Sequence, residues 1–249
     1  MRVIARGVLL TTFVLVGAAA SAQTADDIIE KGIVAGGGRE ALAKVTSRVT
    51  TGTMTVTTPG GDVAGTIEVV NQAPNKTQTI ITLDLSAMGA GKMTIDQRFD
   101  GTNGYASNSM QGETPVTSSQ IDTQRNAIFP SPFLDYKERG TKIALTGKEK
   151  IGDKDAYVLL VTPAKGPASR LWMDATTYLP VKTTTTVETA EVGTVEQTMV
   201  MSDFRQVDGI TMPFKFVGSS AVQTFTVVVT KVEHNVNVDQ ARFAKPASK

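Results

Sequence analysis

The sequence predicts a mainly β protein of α+β class: a short helical start, then about ten or eleven antiparallel strands with one helical insertion. Three observations predict it. From Thr50 onward, apolar residues alternate with Thr and charged residues at a period of two. Turn-forming groups separate these runs at hairpin-like intervals: Pro59-Gly60-Gly61-Asp62, Asp100-Gly101, Gly152-Asp153, Gly166-Pro167 and Asp208-Gly209. Helical periodicity is confined to the stretch before Thr50 and to the region from Ser118 to Phe129.

Residues 1–22 read as a secretory signal peptide. Arg2 and Arg6 form a positive start, Val8 to Val16 an apolar run, and Ala20-Ser21-Ala22 supplies small residues for cleavage after Ala22. The run is too short to span a bilayer, which takes about 20 apolar residues. The arginines are not adjacent, which argues against twin-arginine export, and no cysteine follows the cleavage site to carry a lipid. The expectation is a soluble periplasmic protein, with residues 23–249 forming one domain.

Thr24 caps the first helix, with Asp26 and Asp27 in its first turn, where the helix dipole favours negative charge. Ile29 and Ile33 share a face, and Gly36-Gly37-Gly38 breaks the helix. Arg39 to Val45 is a second short helical piece.

The first strands follow from alternation. Met54 and Val56 alternate with threonines, as do Ile67 and Val69 with Thr66 and Glu68. Ile81, Leu83 and Leu85 continue the pattern, then Met93 and Ile95. Further strands are expected over roughly 141–149, 156–163, 169–174, 180–189, 193–204, 211–218 and 221–234. In the insertion, Ile121, Arg125 and Ile128 share a helical face, and Pro130-Ser131-Pro132 stops it. An antiparallel sheet this long, with one apolar face, must curl or be covered. The helices are too few to fill a wide concave face, which hints at a cavity.

Composition excludes much chemistry. There are 25 Lys+Arg against 24 Asp+Glu, one His and no Cys. No disulfide, thiolate metal site or thiol nucleophile can form, and no site can use two imidazoles of one chain. The near-neutral balance argues against nucleic acid as a partner. No metal or other cofactor is expected. Ser86 to Met93 contains Gly91-Lys92 but lacks the leading glycine and the following hydroxyl of a phosphate loop. No Gly-x-Ser-x-Gly elbow accompanies His234, which reads as a solvated or strand-edge histidine. No catalytic residue is assigned, and the protein is read as a non-enzyme. Met54, Met88, Met93, Met110, Met173, Met199, Met201 and Met212 fall mostly on or beside strands. Methionine suits either an irregular cavity or ordinary core filling.

Several stretches resemble the LolA/LolB-type superfamily of periplasmic lipoprotein carriers. Gly37 to Val45 leading to Gly52-Thr53-Met54 is similar to the Gly-Gly helix and first strand of its secreted, outer-membrane lipoprotein-sorting relatives. Gly65 to Asn75, ending Ala73-Pro74-Asn75, resembles the second strand and its Pro-Asn turn. Phe99 to Tyr105 resembles an Asp-Gly hairpin followed by an aromatic, and Leu171-Trp172-Met173-Asp174 with Leu179-Pro180 resembles the paired strands of the second half. Val238-Asp239 through Phe243 resembles the Val-Asp-x-x-x-Phe ending. Two departures stand out: Ala73 replaces the arginine that latches the carriers' lid, and the chain has one Trp where their cavity is rich in aromatics.

The resemblance implies an unclosed β-barrel, a single curved antiparallel sheet whose concave face is covered by N-terminal and inserted helices around a lipid-binding cavity. It implies a monomeric carrier or binder of lipoproteins or other acylated molecules, with inner- and outer-membrane proteins as partners for loading and release. The expected lining is Met54, Val56, Ile67, Val69, Ile81, Leu83, Met93, Ile95, Trp172, Met199 and Met201. Phe129, Phe133 and Leu134 are expected in the covering segment, and Ser86 to Lys92 in a mobile gate. Alternation alone leaves open which face turns inward. A closed, solid core is the competing reading of the same residues. An envelope sensor or protein-interaction module and an envelope hydrolase are the alternative functions.

Overall fold

Thr24 caps α1 (Ala25–Ala35) reciprocally: its hydroxyl accepts from the Asp27 N–H at 3.1 Å, and Asp27 accepts from the Thr24 N–H. The computed structural model describes residues 23–189, 193–221 and 223–246. The expected leader, residues 1–22, lies outside the described residues. α2 (Arg39–Ala43) follows the glycine break. Gly37 has φ of 122°, and a Cβ there would stand 2.5 Å from the Gly209 carbonyl oxygen, so only glycine fits this approach of helix to sheet.

The strands are β1 (Ser47–Thr58), β2 (Gly61–Gln72), β3 (Lys76–Asp84), β4 (Lys92–Phe99), β5 (Gly104–Asn108), β6 (Gly112–Thr114), β7 (Lys142–Ile151), β8 (Lys154–Thr162), β9 (Ser169–Asp174), β10 (Pro180–Thr189), β11 (Gly193–Val207), β12 (Ile210–Ser219) and β13 (Thr224–His234). All lie in one antiparallel sheet of 13 strands that does not close into a barrel. β5 and β6 exceed the expected number. Gly104-Tyr105-Ala106-Ser107-Asn108 lacks the alternation that marks a half-buried strand; it pairs because it hairpins back onto β4 at the sheet edge.

Sequence neighbours pair throughout, apart from two long-range features. β1 pairs with β13, joining the two halves, and β6 and β7 are the open edges. The chain between Thr114 and Lys142 therefore passes from one edge to the other. It carries α3 (Ser118–Asn126), capped by Thr117. The helix stops at Asn126 rather than continuing to Phe129. Asn126 donates to the Lys165 carbonyl at 2.7 Å, and the Phe129 N–H donates to the Pro74 carbonyl at 2.7 Å, which turns Phe129 inward.

Register defines the two faces. Opposed residues in an antiparallel pair share a face. Met54 opposes Val227, which opposes Phe216; Ile67 opposes Ile81, which opposes Ile95. The same inner face carries Ile210, Met212, Met199, Met201, Leu171, Met173, Tyr157 and Leu159. Helix α1 lays Ile28, Ile29 and Ile33, all nearly fully buried, on this face with Leu42, Phe129, Tyr136, Leu159, Leu171, Met173 and Ile210. Each such isoleucine contributes roughly 1.5–3 kcal/mol by leaving water. α1 approaches closely: a Cβ on Gly32 would lie 2.6 Å from Met173 Cε. Asp26 ties the helix to the crossing segment, accepting from the Tyr136 hydroxyl and from Lys137 Nζ at 2.5 Å.

Candidate functional site

Two hollows lie between the inner face and its cover. One, of about 190 Å³, is lined by Gly32, Ile33 and Gly36 of α1, Leu42 of α2, Met173 of β9, Phe204 of β11, Ile210 and Met212 of β12, and Pro130 to Phe133. Arg48 of β1 reaches into it. The other, of about 300 Å³, lies under α3, lined by Thr123, Asn126 and Ala127, by Ile143, Val161 and Leu171, and by Thr183 and Thr185. Pro132 and Phe133 line both, so this pair stands between them. Arg139 holds that segment in shape, donating to the carbonyls of Leu134 at 2.6 Å and Pro132 at 2.7 Å.

The inner face explains the apolar walls. Leu171, Met173 and Leu159 alternate inward along β8 and β9, and Thr183 and Thr185 do so along β10. The α3 hollow thus has aliphatic walls with a hydroxyl fringe. Its size is at the lower end of the usual range of about 300–1,000 Å³ for small-molecule pockets.

Arg48 is the electrostatic exception. It opposes His234 across β1–β13. Its Nε is buried with no hydrogen-bond partner, and among the described residues it takes part in no ion pair. The guanidinium lies 5.0 Å from the centre of the Phe129 ring. Burial pushes its pKa down to about 10. His234, read from sequence as a solvated or strand-edge histidine, ends β13 with its side chain 2% exposed, because the alternation that leads to Arg48 also turns it inward. Its Nδ1 lies 3.1 Å from Asp208 Oδ2, and its Nε2 is buried without a partner. A more open, polar hollow of about 720 Å³ lies beside it, lined by Glu40, Lys44, Asp208 and Asn235.

The expected lining residues are divided among several places. Met54, Val56 and Leu83 are buried together, with Ile67, Ile81 and Met93 packed on them and Phe216 and Phe225 from the far half of the sheet. That cluster is made of sheet residues, with Leu85 from the turn after β3. Val69, Ile95, Met199 and Met201 are half-buried on the same inner face. Phe133 lines both hollows, Phe129 lies against Arg48, and Leu134 packs on the core beneath α1. Trp172 does not join them. It lies on the outer face with Ala156 and Val158, because Leu171 and Met173 take the inward positions on either side of it. Its indole donates to Glu149 at 2.8 Å, and Lys182 covers the ring at 4.3 Å. Ser86–Met88 forms a single 3-10 turn.

The residues missed by sequence reasoning are Arg48, Phe204, Ile210, Met212 and the α1 side of the hollow. For Arg48 the signal was present. Alternation back from Val56 and Met54 puts a charged residue on an apolar face. Among the described residues, no group of His, Asp and Glu is arranged to hold a metal ion.

No family model and no curated protein matches the sequence. Solved structures do match its shape. A LolA superfamily protein from Nitrosomonas europaea aligns at 15% identity and a TM-score of 0.56, over 89% of this chain and 98% of that one. A DUF1329 family protein from Desulfovibrio piger aligns at 13% identity and a TM-score of 0.56, over 88% and 97%. A domain assigned to outer-membrane lipoprotein sorting, from Vibrio parahaemolyticus, aligns at 10% identity and a TM-score of 0.51, over 86% and 97%. The fold is LolA-like.

Proposed function

We propose that this chain is an exported, non-enzymatic binder of aliphatic, acylated molecules, holding hydrocarbon between its inner sheet face and the crossing segment. The observation that carries the reading is the pair of adjoining hollows that α1, α3 and Pro130 to Phe133 leave between themselves and the sheet. An apolar wall that is not filled by its own side chains is a binding surface for hydrocarbon. Each methylene shielded from water contributes about 0.8 kcal/mol, so even a partly enclosed acyl chain has several kcal/mol of drive. Ordering of chain and protein offsets much of this, which suits a carrier that must also release its cargo.

The LolA-like fold supports the same reading, since one match is a domain assigned to lipoprotein sorting. The leader read in residues 1–22 supports export to the periplasm. No helix among the described residues is long and apolar enough to cross a membrane.

The test is displacement of the neutral dye N-phenyl-1-naphthylamine from the purified protein by dodecanol. Bright dye fluorescence that dodecanol quenches supports the reading. Dye and dodecanol both failing to bind overturns it.

A further inference from the structure

We propose that Arg48 binds the anionic head of a single-chain amphiphile, a carboxylate or a phosphate monoester, whose tail lies in the hollow beside it. The inference rests on the proposed binding of hydrocarbon and adds the chemistry of its head group.

Arginine keeps its charge under all ordinary conditions and presents five donors with no acceptor. A guanidinium placed on the covered face of a sheet therefore needs an anion or carbonyl oxygens to bond. Arg48 is half-buried, its Nε is buried and unpartnered, and among the described residues no carboxylate pairs with it. The Phe129 ring at 5.0 Å offers only a weak substitute. Burying even part of an unpaired charge is costly, and native chains rarely carry one without use.

The surroundings say what the use is. Directly across the ladder, His234 lines the polar hollow with Asp208, and Arg48 is the charged group of the other one. The planar guanidinium matches carboxylate or phosphate with two parallel bonds. The rest of the hollow around Arg48 is mainly hydrocarbon, from Ile33, Leu42, Met173, Phe204 and Met212. A small polar anion would leave these walls unused, and a neutral lipid would leave the guanidinium unpaired. An amphiphile with one charged end satisfies both. Phe133 leads from this hollow into the larger one under α3, which gives the tail a path.

The test compares dodecanoate, dodecyl phosphate and dodecanol as competitors of N-phenyl-1-naphthylamine, with acetate and inorganic phosphate as heads without tails. The wild-type protein is expected to bind at least one of the anionic amphiphiles more than about tenfold tighter than dodecanol, as charge-assisted hydrogen bonds imply. Arg48→Met is expected to bring the anions down to the level of dodecanol. Carboxylate and phosphate arms identify the head. If Arg48→Met fails to fold, the Nε–H resonance of Arg48 in the wild type replaces it. It shifts on adding the preferred anionic amphiphile and stays in place with dodecanol. Equal affinity for dodecanol and both anions overturns the head-group inference and leaves the hydrocarbon site standing. So does a preference that survives Arg48→Met, or inorganic phosphate or acetate binding as tightly as its dodecyl counterpart. Failure of dodecanol and both amphiphiles to bind overturns both readings.

Discussion

Arg48 and His234 oppose each other across the β1–β13 ladder, and each keeps a buried nitrogen with no partner. In the ligand-free protein this is a standing cost. Burial lowers the Arg48 pKa from its ordinary value to about 10, so the charged form is disfavoured in the folded state. The group is charged in both states at neutral pH, so the cost applies in full there and fades only as pH rises past about 10. A shift of this size corresponds to an order of 3 kcal/mol. Arg48→Met keeps much of the side-chain volume and removes the charge. It is expected to stabilise the ligand-free protein by about 1–3 kcal/mol, a rise in Tm of roughly 2–10 °C by calorimetry. A fall in Tm would show that Arg48 is a structural asset rather than a poised site.

Phe133 lines both hollows, so its ring stands where they adjoin. Phe133→Ala should widen the passage between the two spaces. The expected readout is chain-length dependence: affinity of wild type for the n-alkanols levels off at a shorter chain than affinity of the variant. Phe133 is half-buried, so the variant should lose less than the roughly 3–5 kcal/mol of a fully buried Phe→Ala change. Identical chain-length curves would show that the tail does not pass this residue.

The strands were legible because each carries one apolar and one polar face. Met54 and Val56, or Ile81 and Leu83, announce themselves by period alone. What period cannot give is which inward residues are left without neighbours. Met54 and Leu83 meet Phe216 and Val227 because β1 pairs with β13, which pairs with β12, and that pairing is long-range. Trp172 shows a second limit. In Leu171-Trp172-Met173 all three residues are apolar, so no alternation tells which one points out, and the largest was assigned inward. Arg48 shows the third. Its parity was readable, but its lack of a partner depends on everything packed above it.

Trp172 makes a clean control, because it is the one tryptophan and lies on the outer face. Ligand entering the inner hollows should leave its emission maximum unchanged while the bound dye responds. Trp172→Phe should bind dodecanol as wild type does. An emission shift on binding would mean that the ligand sits on the outer face or that the sheet rearranges.

Asp174 sets an acid limit on the fold. The residue is 4% exposed, and burial alone would push its carboxyl up. The N–H groups of Thr177 and Thr176, donating to Oδ1 at 2.7 and 2.9 Å, outweigh this and hold it below the usual carboxylate value. A carboxyl depressed in the folded state stabilises fully above its unfolded value, about 3.9, and the gain is lost as pH falls through the folded value. Tm should therefore fall between about pH 5 and pH 3, and Asp174→Asn should flatten part of that fall. The variant should be less stable at pH 7 by about 1–3 kcal/mol, the usual worth of hydrogen bonds to a charged group. Parallel Tm–pH curves for the two proteins would remove Asp174 from the account.

The last residues of the described chain act as a strap on the outer face. Phe243 is 2% exposed, and Val70, in the β2–β3–β4 register row with Gln78 and Arg98, is fully buried beneath a face that would otherwise be open. Arg242 pairs with Glu68 and donates to Gln78 at 2.7 Å, while Arg98 donates to the Ala244 carbonyl at 2.9 Å. Phe243→Ala should cost about 3–5 kcal/mol, because the ring is almost fully enclosed. Arg242→Ala should cost less, since its side chain is a third exposed. The strap and the hollows lie on opposite faces, so at a temperature where Phe243→Ala remains folded its affinity for dodecanol should match wild type. Urea denaturation beside dye displacement separates the two effects. A loss of affinity without loss of stability would place the strap in control of the inner face.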